Sequence, residues 1–233
     1  MCRLRSVMRV AGGFLLLIVA CLAMASWAFA RPVYVHRFKL ILQADVAGVL
    51  RSSASIIEVR TTRYQSRLAE ASGVRHEVLG DAVFLDLGNG RNVIALLGFN
   101  PHGTRDEIGA LDYVVFEAQN KSLQISDLPT LRGRARLPEQ YVPTLITFSD
   151  LKDPKTAREV GQTEFEREFG ADVRFKGVWI EMTSDPVTRS IDKVLPWWGR
   201  PGRPAADAYR AWLNGNTLGV SVEPEMLFRR GKS

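Results

Sequence analysis

The sequence predicts a mainly β domain, a β-sandwich or barrel-like fold with a few short helices, behind one N-terminal transmembrane helix or signal segment. Three observations carry that expectation. Residues 34–44 alternate well, an Asn-Gly pair sits between two apolar runs, and residues 10–29 contain no charge. The whole chain has 233 residues, 46% hydrophobic and 24% charged, a globular composition too apolar for a disordered chain. It divides into a basic segment at 1–9, a membrane segment at 10–30 and one extracytoplasmic domain at 31–233.

Arg3, Arg5 and Arg9 precede the uncharged run, and the first acid is Asp45. Twenty helical residues reach about 30 Å, the thickness of the bilayer hydrocarbon. Arginines stay on the cytoplasmic side, which places the bulk of the chain outside, with Trp27 and Tyr34 flanking the far end. Three fates fit. The helix is retained as a single-pass inner-membrane anchor, or a signal peptide is cut after Ala28-Phe29-Ala30, leaving a periplasmic or secreted domain. The third is lipidation at Cys21 in Ile18-Val19-Ala20-Cys21. Each exports the remainder.

Both cysteines, Cys2 and Cys21, belong to this leader. The exported part therefore has no disulfide, thiol nucleophile or thiolate-bound zinc. The formal charge of +6 includes the three leader arginines, so the exported part is nearly balanced and does not call for nucleic acid.

Within the domain, Phe38, Leu40, Leu42 and Ala44 fall on one face of a strand, and Arg37, Lys39, Gln43 and Asp45 on the other. Val46-Ala47-Gly48 turns the chain, and Ser55, Ile57 and Val59 share the face of a second strand. Residues 62–72 lose the alternation and read as a loop or short helix.

Asn89-Gly90 suits a two-residue type I′ hairpin turn. Extending its register without interruption puts Leu85 opposite Ile94, with Val83, Leu85, Leu87, Ile94 and Leu96 on one face. Ala82, Phe84, Val93, Ala95 and Leu97 occupy the other. Both faces are apolar, so the hairpin should be central and covered twice.

Residues 108–118 are apolar without a decisive period, and Arg132-Gly133-Arg134-Ala135-Arg136 reads as an exposed basic loop. A short strand at 144–148 is entered through Pro143, and 163–169 reads as a short helix closed by Gly170. Apolar positions switch from odd (Val173, Phe175) to even (Val178, Ile180, Met182), which predicts a β-bulge near Gly177. A helix over 204–213 and a strand over 217–222 complete the reading.

Stretches 34–60, 80–97, 143–154 and 177–198 also form a pattern together. It is clearest in Thr147-Phe148-Ser149-Asp150-Leu151-Lys152-Asp153-Pro154, Thr183-Ser184-Asp185-Pro186-Val187-Thr188 and Leu195-Pro196-Trp197. It resembles a family of bacterial membrane-anchored or exported proteins with no assigned activity. The resemblance implies one domain and no particular chemistry.

Catalytic signatures are lacking. Of His36, His76 and His102, only His102, with Asp106 and Glu107, resembles a metal or acid/base cluster, and its spacing matches no metal motif. Gly219-Val220-Ser221-Val222-Glu223 is no nucleophile elbow, and Gly88-Asn89-Gly90 is a turn rather than a dinucleotide fingerprint. Asp150 with Asp153 suits a turn, and Glu164, Glu166 and Glu168 a wet helical face. No catalytic, metal or cofactor residue is assigned and no cofactor is expected.

Two groups remain as a possible binding surface. Arg132, Arg134 and Arg136 suit anionic groups, and Trp197 with Trp198 suits packing or docking, one ring inward and one outward. The expectation is an anchored extracytoplasmic domain that binds an envelope protein partner or supports envelope assembly. An envelope hydrolase and a small-ligand or lipid carrier are the alternatives.

Overall fold

The computed structural model describes residues 32–64, 73–99, 108–198 and 229–230. The uncharged run at 10–29, both cysteines, His102 with Asp106 and Glu107, and the elements expected at 204–213 and 217–222 lie outside them. No helix among the described residues is long and apolar enough to cross a membrane. Chain contacts divide into two units, Met1–Val33 with Thr62–Val74, and Tyr34–Thr61 with Arg75–Ser233. Of the first unit only strand ends are described, and the architecture below is that of the second.

Strand β1 (Val33–Val46) turns at Ala47-Gly48 into β2 (Val49–Tyr64). Its alternating face is the core face, with Phe38, Leu40, Leu42 and Ala44 fully buried. Ser55, Ile57 and Val59 face inward from β2, as their spacing predicts. Strand β3 (Gly73–Asp81) runs, with only Ala82 between, into β4 (Val83–Gly88), which turns back as β5 (Arg91–Phe99). After a helical region come β6 (Arg134–Arg136), β7 (Pro143–Phe148), β8 (Ala157–Glu159), β9 (Val173–Met182) and β10 (Arg229–Arg230). They form a six-stranded sheet of order β10-β3-β2-β1-β9-β6 and a four-stranded sheet of order β4-β5-β7-β8.

The β4–β5 hairpin is covered on both faces, but its register corrects the expected one. Asn89 and Gly90 both have positive φ, as a type I′ turn requires, and Gly88 pairs with Arg91. Beyond the turn Leu87 is an extra residue, so Asp86 pairs with Asn92, Leu85 with Val93 and Phe84 with Ile94. A slip of one residue reverses the faces of one strand relative to the other. Val83, Leu85, Leu87, Val93, Ala95 and Leu97 therefore face the core between the sheets. Ala82, Ile94 and Leu96, with Phe84 half-buried beside them, form a second core on the far side.

That second core is closed by Ile146 and Phe148 of β7 and by α3 (Ile191–Val194) with Leu195, Trp197 and Trp198. The buried carboxylate of Asp81 accepts the Ser190 and Ile191 backbone N–H groups at 2.6 and 3.0 Å, which fixes the start of α3.

The phase change in β9 is a bulge. Gln43 pairs with Gly177 and Ala44 with Phe175, leaving Lys176 unpaired, while Gly177 takes φ +129°. Helix α2 (Phe165–Phe169) ends at Gly170 as expected. One stretch left open by its sequence is assigned, and one other expectation is corrected. Residues 108–119 are helical, a tight turn at Ile108–Ala110 leading into α1 (Leu111–Gln119). The stretch read as a basic loop contains β6, whose Ala135 is buried while Arg134 and Arg136 point out.

Candidate functional site

Two polar side chains occupy positions where the packing pattern calls for apolar ones. His36 lies in phase with Phe38, Leu40, Leu42 and Ala44 on the core face of β1 and is 4% exposed. Asp112 follows Ile108 and Leu111 and precedes Val115 and Phe116 on the buried stripe of the α1 region, and is 0% exposed. Their spacing is the i, i+3, i+4, i+7 pattern of an amphipathic helix with one carboxylate set into it.

Gly109 sets the height of that helix over the sheet. A β-carbon there would lie 2.6 Å from His76 Cβ and 3.1 Å from Val78 Cγ2, so only glycine lets the helix start rest on β3. Beside it, Thr61 Oγ1 and His76 Nδ1 are hydrogen-bonded at 3.0 Å. With the helix seated so low, Asp112 Oδ2 comes 2.7 Å from His36 Nε2. The contact is close but not aligned as a hydrogen bond, and neither His36 Nδ1 nor Asp112 Oδ1 has a partner among the described residues. Buried polar groups are nearly always satisfied, so a pair left half-satisfied inside a core points to use rather than scaffolding.

No hydroxyl among the described residues hydrogen-bonds either nitrogen of His36. Among the same residues no three His, Cys, Asp or Glu side chains converge as a metal site.

His36 forms part of the wall of an open cavity of about 270 Å³. The cavity lies where β9 ends and leaves the first part of β1 without its neighbour, with Leu128, Arg132, Met182 and Thr183 around it. Arg37, on the opposite face of β1, is already committed. Its Nε and Nη2 reach Glu58 Oε2 at 2.8 and 2.7 Å, and Nη1 donates to the Ser184 carbonyl.

Arg60 Nε completes this cluster at 2.9 Å from Glu58 Oε1. Burial pushes the Glu58 carboxyl up, but the hydrogen bonds and charges of Arg37 and Arg60 outweigh it and hold the group below the usual carboxylate range. A lowered native value means stability that is present above the unfolded value and lost as pH falls through the native one. Urea midpoints measured against pH are therefore expected to fall for the wild type below about pH 4.3. The Glu58→Gln variant should lack that component of the fall, and identical profiles would contradict the pairing.

The residues marked as a possible binding surface separate into two places. Arg134 and Arg136 stand on β6, the edge of the six-stranded sheet, each guanidinium 5.5 Å from the ring centre of Trp179 on neighbouring β9. That distance is within cation–π range. Arg136 also donates to the Lys176 carbonyl at 3.1 Å, while Glu181 lies 4.0 Å from Arg134. Among the described residues Arg132, just before the strand, bonds only the adjacent Leu131 carbonyl, at 2.8 Å.

Trp197 and Trp198 are elsewhere, half-buried on the outer face of the four-stranded sheet. Trp197 Nε1 donates to the Leu151 carbonyl at 3.0 Å, and its ring lies 6.0 Å from Phe148. The chain turns at Pro196, so the two indoles meet edge to face at 5.8 Å instead of pointing apart as an extended chain would place them. They pack. Asp150 and Asp153 accept backbone N–H groups of Lys152 and Lys155, the turn role their spacing suggests. Glu164 and Glu168 pair with Arg167 and Arg158 on the surface.

Comparison with family models, with curated proteins and with solved structures finds no match to this chain.

Proposed function

We propose that the chain is a membrane-anchored extracytoplasmic binding domain, and that its docking face for an envelope protein partner is the edge strand β6. The observation that carries this reading is the Arg134–Trp179–Arg136 stack on an edge with no further strand beside it among the described residues. An edge strand presents unpaired main-chain N–H and C=O groups, and an extended segment can add to it. Alternate side chains of β6 face outward as arginines, and among the described residues only Glu181 lies near to offset them. The fitting occupant is thus an extended acidic segment. The anchor itself is read from the uncharged residues 10–29 behind three arginines.

A lipid or small-ligand carrier fits less well, because Phe38, Leu40, Leu42 and Phe165 fill the space between the sheets at 0–2% exposure.

The test places a photoreactive residue at exposed Lys176, beside Arg136, in the full-length protein in native membranes. A discrete crosslinked species is expected, weakened by high salt and lost in the Arg134→Ala/Arg136→Ala variant. A species that persists unchanged in that variant, or none at all, would overturn the reading.

A further inference from the structure

We propose that the extended segment docking on β6 carries an apolar side chain next to its acidic ones, and that this anchor enters the cavity at the end of β6. The anchor rests on the reading of β6 as a docking edge and narrows what that edge selects.

The main chain of β6 is divided between two sides. Leu137 N–H donates to the Val178 carbonyl at 2.8 Å, and the Gly133 carbonyl accepts the Met182 N–H at 3.0 Å. Odd positions therefore bond β9, and Arg134 and Arg136 turn their own N–H and C=O groups to the open edge. A residue added opposite each arginine places its side chain on the same face, beside the guanidinium. Carboxylates fit those two places. The next residue along points to the other face, that of buried Ala135 and Leu137.

A cavity of about 390 Å³ lies where the chain leaves the sheet at Pro138, inside the roughly 300–1,000 Å³ typical of ligand pockets. Leu137 and Val142 belong to the core between the sheets and Phe175 packs against it, and together they give the cavity an apolar wall. Its polar lining does not invite another acid. Gln162 Nε2 already donates to the Glu139 carbonyl at 3.2 Å, and the side chain of exposed Glu139 is itself acidic.

Arg136 belongs to both the edge and the cavity. Its guanidinium lies against the Trp179 ring and donates to the Lys176 carbonyl at 3.1 Å. It also passes over Gly177, where a β-carbon would stand 2.8 Å from Nε. Positive charge and apolar wall are thus adjacent. An acid opposite Arg136 and an apolar residue one strand step away, about 3.3 Å along, reach both.

The test uses fluorescein-labelled Thr-Thr-Leu-Glu-Thr-Glu-Leu-Thr-Thr, which reads the same in both directions and so suits a parallel or an antiparallel strand. Its binding to the full-length protein in phosphatidylcholine nanodiscs is followed by fluorescence anisotropy. The comparison peptide has alanine for both leucines. The leucine peptide is expected to bind about tenfold tighter, the effect of burying one leucine side chain. Gln162→Trp, at a half-buried position on the wall, fills the cavity without altering the core and should remove that preference. Both peptides should weaken in Arg134→Ala/Arg136→Ala.

Equal binding of the two peptides, weakened by the arginine variant, overturns the anchor and leaves the docking edge standing. A leucine preference that survives Gln162→Trp overturns the cavity as its seat. Binding of neither peptide, or binding indifferent to the arginines, overturns the edge and the anchor together.

Discussion

Asp112→Ala is expected to destabilise the domain by about 3–5 kcal/mol, the cost of stranding one member of a buried pair. The carboxylate is fully buried and lies 2.7 Å from His36 Nε2. Its removal leaves an imidazole at 4% exposure without the group that lies against its Nε2. The missing side-chain volume adds a cavity term under α1. Asp112→Asn keeps the volume and replaces the carboxyl group with an amide, so it separates packing from pairing. Thermal or urea denaturation of the two variants reads both effects, and a loss below 1 kcal/mol in each would mean that the pair does not interact.

The second large effect is expected at Asn92, which is 2% exposed at the start of β5. Its side-chain amide stands in for a strand's main chain. Nδ2 donates to the Phe148 carbonyl at 2.8 Å, and Oδ1 accepts the Phe148 N–H at 3.1 Å. The pairing of β5 with β7 runs from Phe99 and Pro143 to Ile94 and Ile146, and the amide carries the join on to Phe148. Asn92→Ala orphans two buried backbone groups, each worth about 1–3 kcal/mol, so a loss of about 2–4 kcal/mol is expected. Amide exchange at Phe148 should accelerate with it. Asn92→Asp tests the polarity of the arrangement, since a carboxylate cannot donate to the Phe148 carbonyl. If Asn92→Ala left both stability and exchange unchanged, the two hydrogen bonds would carry no weight.

Much of the β framework is legible because each strand obeys one simple period. The alternation from Phe38 to Ala44 names the core face of β1 outright. The odd-to-even switch around Gly177 requires an extra residue, and the bulge supplies it at Lys176. The hairpin shows where this kind of reading stops. Asn89-Gly90 identifies the turn, but the Asp86 carboxylate accepts the Gly88 N–H at 2.7 Å and leaves Leu87 as an extra residue. Side-chain bonding of that kind shifts the register without altering the apolar pattern, because both faces are apolar either way.

The same reasoning explains what was missed at the site. Residues 108–118 lack a clean helical period because Asp112, a charged residue, fills a core position. His36 likewise shares the phase of four apolar neighbours. A polar residue in phase with a core face is the signal available in the sequence, on two segments far apart in the chain. Their meeting depends on Gly109 letting α1 down onto β3, a contact no local pattern announces. Strand β6 was hidden for a related reason. Arg-Gly-Arg-Ala-Arg has the composition of a loop, and only its pairing with β9 makes it a strand. Arg134 and Arg136 stand out in the sequence as basic residues, whereas Trp179, on the outward phase of β9, becomes visible as their partner only in the fold.

The most direct test of whether His36 and Asp112 serve a ligand rather than the fold is equilibrium urea denaturation of the full-length His36→Phe/Asp112→Leu variant. An apolar pair of comparable size should match or exceed wild-type stability, because two buried polar groups without hydrogen-bond partners among the described residues are removed. A double variant several kcal/mol less stable than wild type would make the pair part of the framework and contradict this reading of the pair.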